Sequence, residues 1–205
     1  MSRIVAGSAR GRRIAMPPGQ QTRPTTDRVR EALFAALASW AGTAGQPAEL
    51  SLAGLAFCDL YAGSGAVGLE AASRGARPVL LVESDRRTAQ LAARNAADLG
   101  LEADIQIATV EGLTGRPAVR AYDVVFADPP YELAGGAVSA VLTGLVEHRW
   151  LAPTALVVVE RSRRSPALHW PDAFDEVRVR QYGETVLCFG SSTGSVSQTP
   201  VEGER

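Results

Sequence analysis

The chain has 205 residues, 46% of them apolar and 21% charged, with a formal net charge of −1, which excludes a collagen-like or disordered chain and suits one domain of ordinary size with a small appendage. All 21 basic residues are arginine, so a phosphate-loop lysine and a Schiff-base lysine are excluded. Two histidines (His148, His169) and two cysteines (Cys58, Cys188) stand far apart, so no metal site and no disulfide is expected, and both thiols belong in the core. No stretch reaches the roughly 18 uninterrupted apolar residues of a spanning helix, and "MSRIVAGSARGRR" lacks the apolar core of a signal peptide. A cytoplasmic protein that meets no membrane is expected.

Charge is uneven along the chain. Residues 1–30 hold seven arginines (Arg3, Arg10, Arg12, Arg13, Arg23, Arg28, Arg30) against one acid, Asp27, which points to a polyanion partner. "SRIVA" and "RRIAM" read as short extended pieces around the turn-rich "GSARG", so residues 1–24 form an arginine-bearing β-hairpin. Thr25 or Thr26 caps a helix over 25–41, with Val29, Leu33, Phe34, Leu37 and Trp40 at helical spacing, and residues 42–51 form a linker.

From residue 52 strands and helices alternate. "GLAFCDLYA", "PVLLVE", "ADIQIA", "YDVVFA" and "TALVVVE" read as strands; "AVGLEAASR", "RTAQLAARNAADL" and residues 136–149 read as helices, the first two closed by Gly75 and Gly100. Near-continuous Val, Ile and Leu runs in such a series predict a parallel, doubly wound α/β sheet covered on both faces. "EVRVRQYG" and "TVLCFG", joined across Gly183 and Glu184, predict an antiparallel hairpin at its edge. Residues 191–205 read as a disordered tail.

Two segments carry chemistry. In "DLYAGSGAVGLE", Gly63, Gly65 and Gly68 form G-x-G-x-x-G after a strand and at a helix start, where a ligand can approach the backbone and unpaired N–H groups. Glu83 ends the next strand, placed for ribose hydroxyls. Asp59, four residues before Gly63, suits a cationic amino group and would repel a pyrophosphate, which favours S-adenosylmethionine over a dinucleotide.

In "ADPPYEL", a strand ends in Asp128, Pro129, Pro130 and Tyr131. The lone pair of a base's exocyclic amine is delocalised into the ring. Acceptors at Asp128 Oδ and the Pro129 carbonyl can hold both N–H groups and turn that lone pair toward a methyl carbon. Two prolines stiffen the loop, and Tyr131 can stack on a flipped base. If the first and fourth strands are neighbours, both segments share one cleft.

"DLYAGSGAVGLEAASRGA", Glu83 and "DPPY" resemble class I S-adenosylmethionine-dependent methyltransferases that modify exocyclic amines. With "RIVAGSARGRRI" and "TRPTTDRVREALF", the chain looks like the bacterial family that methylates the N2 amine of a guanine in small-subunit ribosomal RNA (RsmD type), over nearly its whole length to Gly190. The resemblance implies a seven-stranded Rossmann-like methyltransferase sheet, S-adenosylmethionine as cofactor with S-adenosylhomocysteine as product, and 16S rRNA in the small subunit or a late assembly particle as partner. A monomer is expected. By position, Asp59, Gly63, Gly65 and Glu83 bind the cofactor, and Asp128, Pro129, Pro130 and Tyr131 hold the guanine. The wider cofactor set adds Tyr61, Ser64, Gly68, Ser84, Thr109, Val110 and Asp128. The RNA-binding set is Arg3, Arg10, Arg12, Arg13, Arg23, Arg28, Arg163 and Arg164, with Arg161 beside the last two.

Two positions depart from the family's pattern. "IATVEG" offers Thr109 or Glu111 where an acid is common near the adenine, and Ala35 follows "REALF" where asparagine is frequent. Two other readings share the glycine loop. A DNA adenine or cytosine amine methyltransferase would need a larger target-recognition region, and an NAD-dependent oxidoreductase would leave "DPPY" and the arginine arm unexplained. A non-catalytic RNA-binding protein would explain only the arm.

Overall fold

The computed structural model describes residues 2–17, 26–130, 133 and 135–192. Strands β1 (Ser2–Arg3) and β2 (Arg13–Ile14) pair antiparallel, Ser2 opposite Ile14. The ladder is shorter than the expected hairpin: Ile4 still bonds with Gly11 and Arg12, but four N–H groups beyond it donate to Glu70 and Ser73 instead. Val5 and Ala6 donate to the Glu70 carboxylate at 2.6 and 2.9 Å, Ser8 N donates to Ser73 O at 2.8 Å, and Ala9 N donates to Ser73 Oγ at 3.0 Å.

Helix α1 (Asp27–Trp40) starts at Thr26, whose Oγ1 accepts from Val29 N at 3.3 Å, and it buries the expected stripe of Val29, Leu33, Phe34 and Leu37. Arg30 is buried with that stripe. It donates to Ser2 Oγ, the Arg3 carbonyl and Asp27 Oδ1 at 2.7 to 2.8 Å, so this arginine ties the helix to β1.

The remaining elements run β3 (Phe57–Leu60), α2 (Ala66–Ser73), β4 (Val79–Glu83), α3 (Arg86–Leu99), β5 (Asp104–Ile107), α4 (Val110–Thr114), β6 (Tyr122–Ala127), α5 (Gly135–Glu147), β7 (Leu151–Ser162), β8 (Glu176–Tyr182) and β9 (Thr185–Ser191). Seven strands make one sheet in the order β5-β4-β3-β6-β7-β9-β8. β3 to β7 pair in parallel, and the final hairpin is antiparallel with β9 inserted against β7. One apolar layer packs Phe34, Leu69, Leu81, Phe126 and Val158 on the side of α1, α2 and α3, and takes in Ile4, Ala9 and Ile14 from the N-terminal segment. The other packs Cys58, Val82, Val125, Leu142 and Val159 on the side of α4 and α5. Cys58 and Cys188 are buried free thiols.

Three elements differ from expectation. A 3-10 turn at Ala48–Leu50 interrupts the linker, and the short helix α4 follows β5. β7 runs through Pro153, which sits where the register to β6 slips between Tyr122 and Val124, so no ladder donor is missed. Among the described residues no helix is long and apolar enough to cross a membrane.

Candidate active site

The sheet order reverses at β3, whose neighbours are β4 and β6, and ligands bind above such a reversal at the carboxyl ends of the strands. The glycine loop leaves β3 there. Gly65 takes φ +83 at the N-cap of α2, a left-handed conformation that side chains rarely adopt. Gly68 allows a different closeness: a Cβ on it would overlap Leu81 Cδ2 and crowd Asp59. That absent side chain lets α2 settle on β3 and β4.

Asp59, at 2% exposure, accepts from Gly68 N at 2.8 Å. Burial pushes its carboxyl up to about 7, opposed by the Gly68 hydrogen bond and reinforced by the charge of Glu83. Glu83 Oε2 accepts from Gly63 N at 2.9 Å and Oε1 from Asp85 N at 2.8 Å. Its remaining lone pairs are available to hydroxyls.

Beside Glu83 opens a cleft of about 200 Å³, lined by Tyr61, Ser84, Thr109, Val110, Glu111 and Pro130 among others. Five residues of the cofactor set, Tyr61, Glu83, Ser84, Thr109 and Val110, therefore share one hollow. Tyr61 holds φ +61, an uncommon conformation for a residue with a side chain, and its hydroxyl donates to Glu111 Oε1 at 2.8 Å. Burial, with Glu111 beside it, pushes the Tyr61 phenol up. Thr109 Oγ1 accepts from Gly112 N at 3.2 Å and caps α4. Both residues considered for the missing acid line this cleft, and Glu111 is the one that carries the carboxylate. Ser64 instead turns toward the N-terminal segment, its Oγ donating to Met16 Sδ at 3.2 Å.

β3 and β6 pair in parallel with Leu60 opposite Ala127, and Asp128 N donates to Leu60 O at 3.4 Å. Asp128 therefore stands one strand away from the glycine loop. Burial raises its carboxyl well above the usual range, and Glu160 and Asp59 raise it further. Asp128, Pro129, Glu160, Arg161, Ser162 and Ser165 line a small adjoining cavity. Tyr131 lies outside the described residues.

The arginines divide into groups. Arg10, Arg13 and Arg28 are exposed and make no ion pair among the described residues. Arg3 reaches Asp27 at 3.4 Å. Arg12 donates to the carbonyls of Leu99 and Asp98, capping the C-terminus of α3. Arg163 and Arg164 both reach Glu184, at 3.1 and 3.7 Å, and Arg161 is buried. Arg23 lies outside the described residues.

Sequence reasoning missed Asn95 and Glu160. Asn95 Nδ2 donates to Ala15 O and Ser64 O at 3.0 and 2.9 Å, and its Oδ1 accepts from Ala15 N at 3.0 Å. Nothing local marks it, since it is one of seven polar or charged residues in α3. Glu160 had a signal: an acid ending the apolar run "TALVVV", as Asp59 and Asp128 end theirs.

The profile of the "Conserved hypothetical protein 95" family matches residues 2–191. The Escherichia coli protein "Ribosomal RNA small subunit methyltransferase D" is 36% identical over 163 residues, covering 77% of this chain and 73% of that protein. A solved structure, "Putative methyltransferase yhhF from Escherichia coli", superposes with a TM-score of 0.79 at 31% identity, covering 94% of this chain and 98% of the other. A Thermus thermophilus 16S rRNA N2 methyltransferase (RsmC), solved in complex with AdoMet and guanosine, shares the fold at a TM-score of 0.63 and 21% identity, over 84% of this chain and 45% of that one. Matched by its family profile over nearly its full length, the chain belongs to the conserved hypothetical protein 95 (RsmD) family, and its fold is that of class I methyltransferases.

Proposed function

We propose that this protein transfers a methyl group from S-adenosylmethionine to the exocyclic N2 amine of a guanine in the 16S rRNA of the small ribosomal subunit. The observation that carries the reading is the parallel pairing of β3 with β6, which sets Asp59 and the glycine loop beside Asp128 and its prolines. The rRNA substrate agrees with the name of the Escherichia coli relative.

The residues fit the cofactor. The cleft at Glu83 suits an adenosine, the Glu83 carboxylate its ribose, and Asp59 its α-ammonium group. Bound there, S-adenosylmethionine supplies an electrophilic methyl carbon on a sulfonium sulfur. Asp128 and the Pro129 carbonyl would hold the two amine hydrogens and so turn the nitrogen lone pair toward the methyl group. Asp128 would stabilise the positive charge that the amine nitrogen gains on taking the methyl group, S-adenosylhomocysteine being the leaving product. Its raised carboxyl then accepts the proton that the methylated amine must lose.

Exposed arginines carry the RNA contacts: Arg10 and Arg13 on the N-terminal segment, which reaches the glycine loop through Ala15 and Met16, and Arg28 on α1. Such contacts give affinity rather than base selectivity.

The test uses small subunits from cells lacking the protein and methyl-labelled S-adenosylmethionine. Label should be recovered as N2-methylguanosine from 16S rRNA with the native protein. It should disappear with Asp128→Ala, which still binds S-adenosylhomocysteine. Label on adenosine or cytidine, or full activity of the variant, defeats the reading.

A further inference from the structure

Three acids stand at the carboxyl ends of adjacent strands: Asp59 on β3, Asp128 just past β6 and Glu160 on β7. The first has its role at the cofactor and the second at the amine. Glu160 has none in the reaction as described, and it stands 7% exposed at the end of a run of buried valines, beside Asp128. The register explains where it points. Ala127 lies opposite Val159, so the next pair along these strands is Asp128 and Glu160, and the charge of Glu160 raises the Asp128 carboxyl. Both line the same small cavity as Arg161.

Resting on the guanine reading above, we propose that Glu160 is the specificity-determining residue: it accepts the N1–H of the guanine whose N2 amine Asp128 holds. The chemistry of the bases makes the second contact decisive. Along the Watson–Crick edge, guanine presents its amine, then a ring N–H donor, then a carbonyl acceptor. Adenine and cytosine both present a bare ring nitrogen, an acceptor, next to their amine. Asp128 and Glu160, the next pair along β6 and β7, offer the complementary order for the first two positions: two acceptors side by side. A carboxylate facing the lone pair of adenine N1 or cytosine N3 repels it, so those amines are not held in line for transfer. A buried site built to bond a base N–H rejects analogues lacking it strongly, by at least ~100-fold.

The experiment uses 16S rRNA ligated to carry either guanosine or 2-aminopurine at the methylated position and assembled into subunits. 2-Aminopurine keeps the amine but has a bare N1 and no O6. The native protein should prefer guanosine by at least ~100-fold in kcat/KM. Glu160→Gln, whose amide can donate to a bare N1, should slow guanosine and narrow that preference by about tenfold or more, with unchanged S-adenosylhomocysteine binding. A loss of packing alone would slow both bases together and leave the ratio in place. Glu160→Gln with the native ratio overturns the assignment while leaving the guanine reading intact. Equal native rates on the two bases overturn it even if the variant does not fold. Native protein that leaves guanosine unmethylated overturns both.

Discussion

Asn95 donates from Nδ2 to the Ser64 carbonyl at 2.9 Å while exchanging two hydrogen bonds with the backbone of Ala15. One side chain of α3 thus joins the glycine loop to the arginine-bearing segment, which places the proposed RNA grip against the proposed cofactor site. Asn95 is buried, so replacing it strands a backbone N–H and two carbonyls. Asn95→Ala should cost about 2 kcal/mol, or about 4–8 °C in Tm for a domain of this size. It should also weaken S-adenosylhomocysteine binding. A scanning calorimetry trace with native Tm would mean that neighbouring waters replace the amide fully.

Asp59 makes cofactor binding depend on pH. Its folded carboxyl sits at about 7 against 3.8 when unperturbed, chiefly through burial. A raised folded value stabilises the fold below the unfolded value, and that contribution is lost as pH rises from about 4 through 7. An α-ammonium group needs the ionised form, so affinity for S-adenosylhomocysteine should fall as pH drops below about 7, approaching tenfold per pH unit. Asp59→Asn should bind weakly at every pH and flatten the profile. Calorimetric titrations from pH 5 to 8 read this directly, and an equally steep profile in Asp59→Asn would assign the proton elsewhere.

Glu83 is expected to hold ribose hydroxyls through the lone pairs that Gly63 N and Asp85 N leave over. Glu83→Ala should weaken S-adenosylhomocysteine binding by about 10- to 100-fold, the scale of one charge-assisted hydrogen-bond pair. The test compound is the 2′,3′-dideoxy analogue, which should bind native protein and Glu83→Ala alike. A native protein that prefers the parent compound no more than the variant does would place the ribose away from Glu83.

The N-terminal arginines should separate by experiment. Arg10 and Arg13 are exposed, so changing both to alanine should leave Tm within about 1 °C and lower the salt dependence of RNA binding by about 1.4 to 1.8 in log–log slope. Arg12 caps α3, so Arg12→Ala should lower Tm as well. Filter binding across a salt series with parallel melting curves distinguishes them. An unchanged slope in the double variant would remove this segment from the RNA interface.

The parallel series of strands followed from alternating apolar runs, because strands buried on both faces leave a signal that turn residues punctuate cleanly, whereas the order that sets β3 beside β6 rests on packing between distant segments and stood in the sequence only as a condition. Gly65, Gly68, Asp59, Glu83 and Asp128 were legible because each ends or begins an element. Arg12 and Arg30 were not. Seven arginines near one terminus look alike as charges, yet two of them serve hydrogen bonds to residues distant in sequence or deep in the core. Asn95 was hidden for the same reason, since its partners lie 31 and 80 residues away.

The bonds from Val5 and Ala6 to Glu70 span 65 and 64 residues. Their acceptor belongs to a helix that must already lie on the sheet, and Ala15 needs α3 as well. In folding, therefore, residues 5 to 15 cannot reach their places until α2 and α3 are in position. Contacts of such long separation are slow to close. Native docking of this segment thus follows that of the two helices that supply its partners, and the arginines it carries take up their places last.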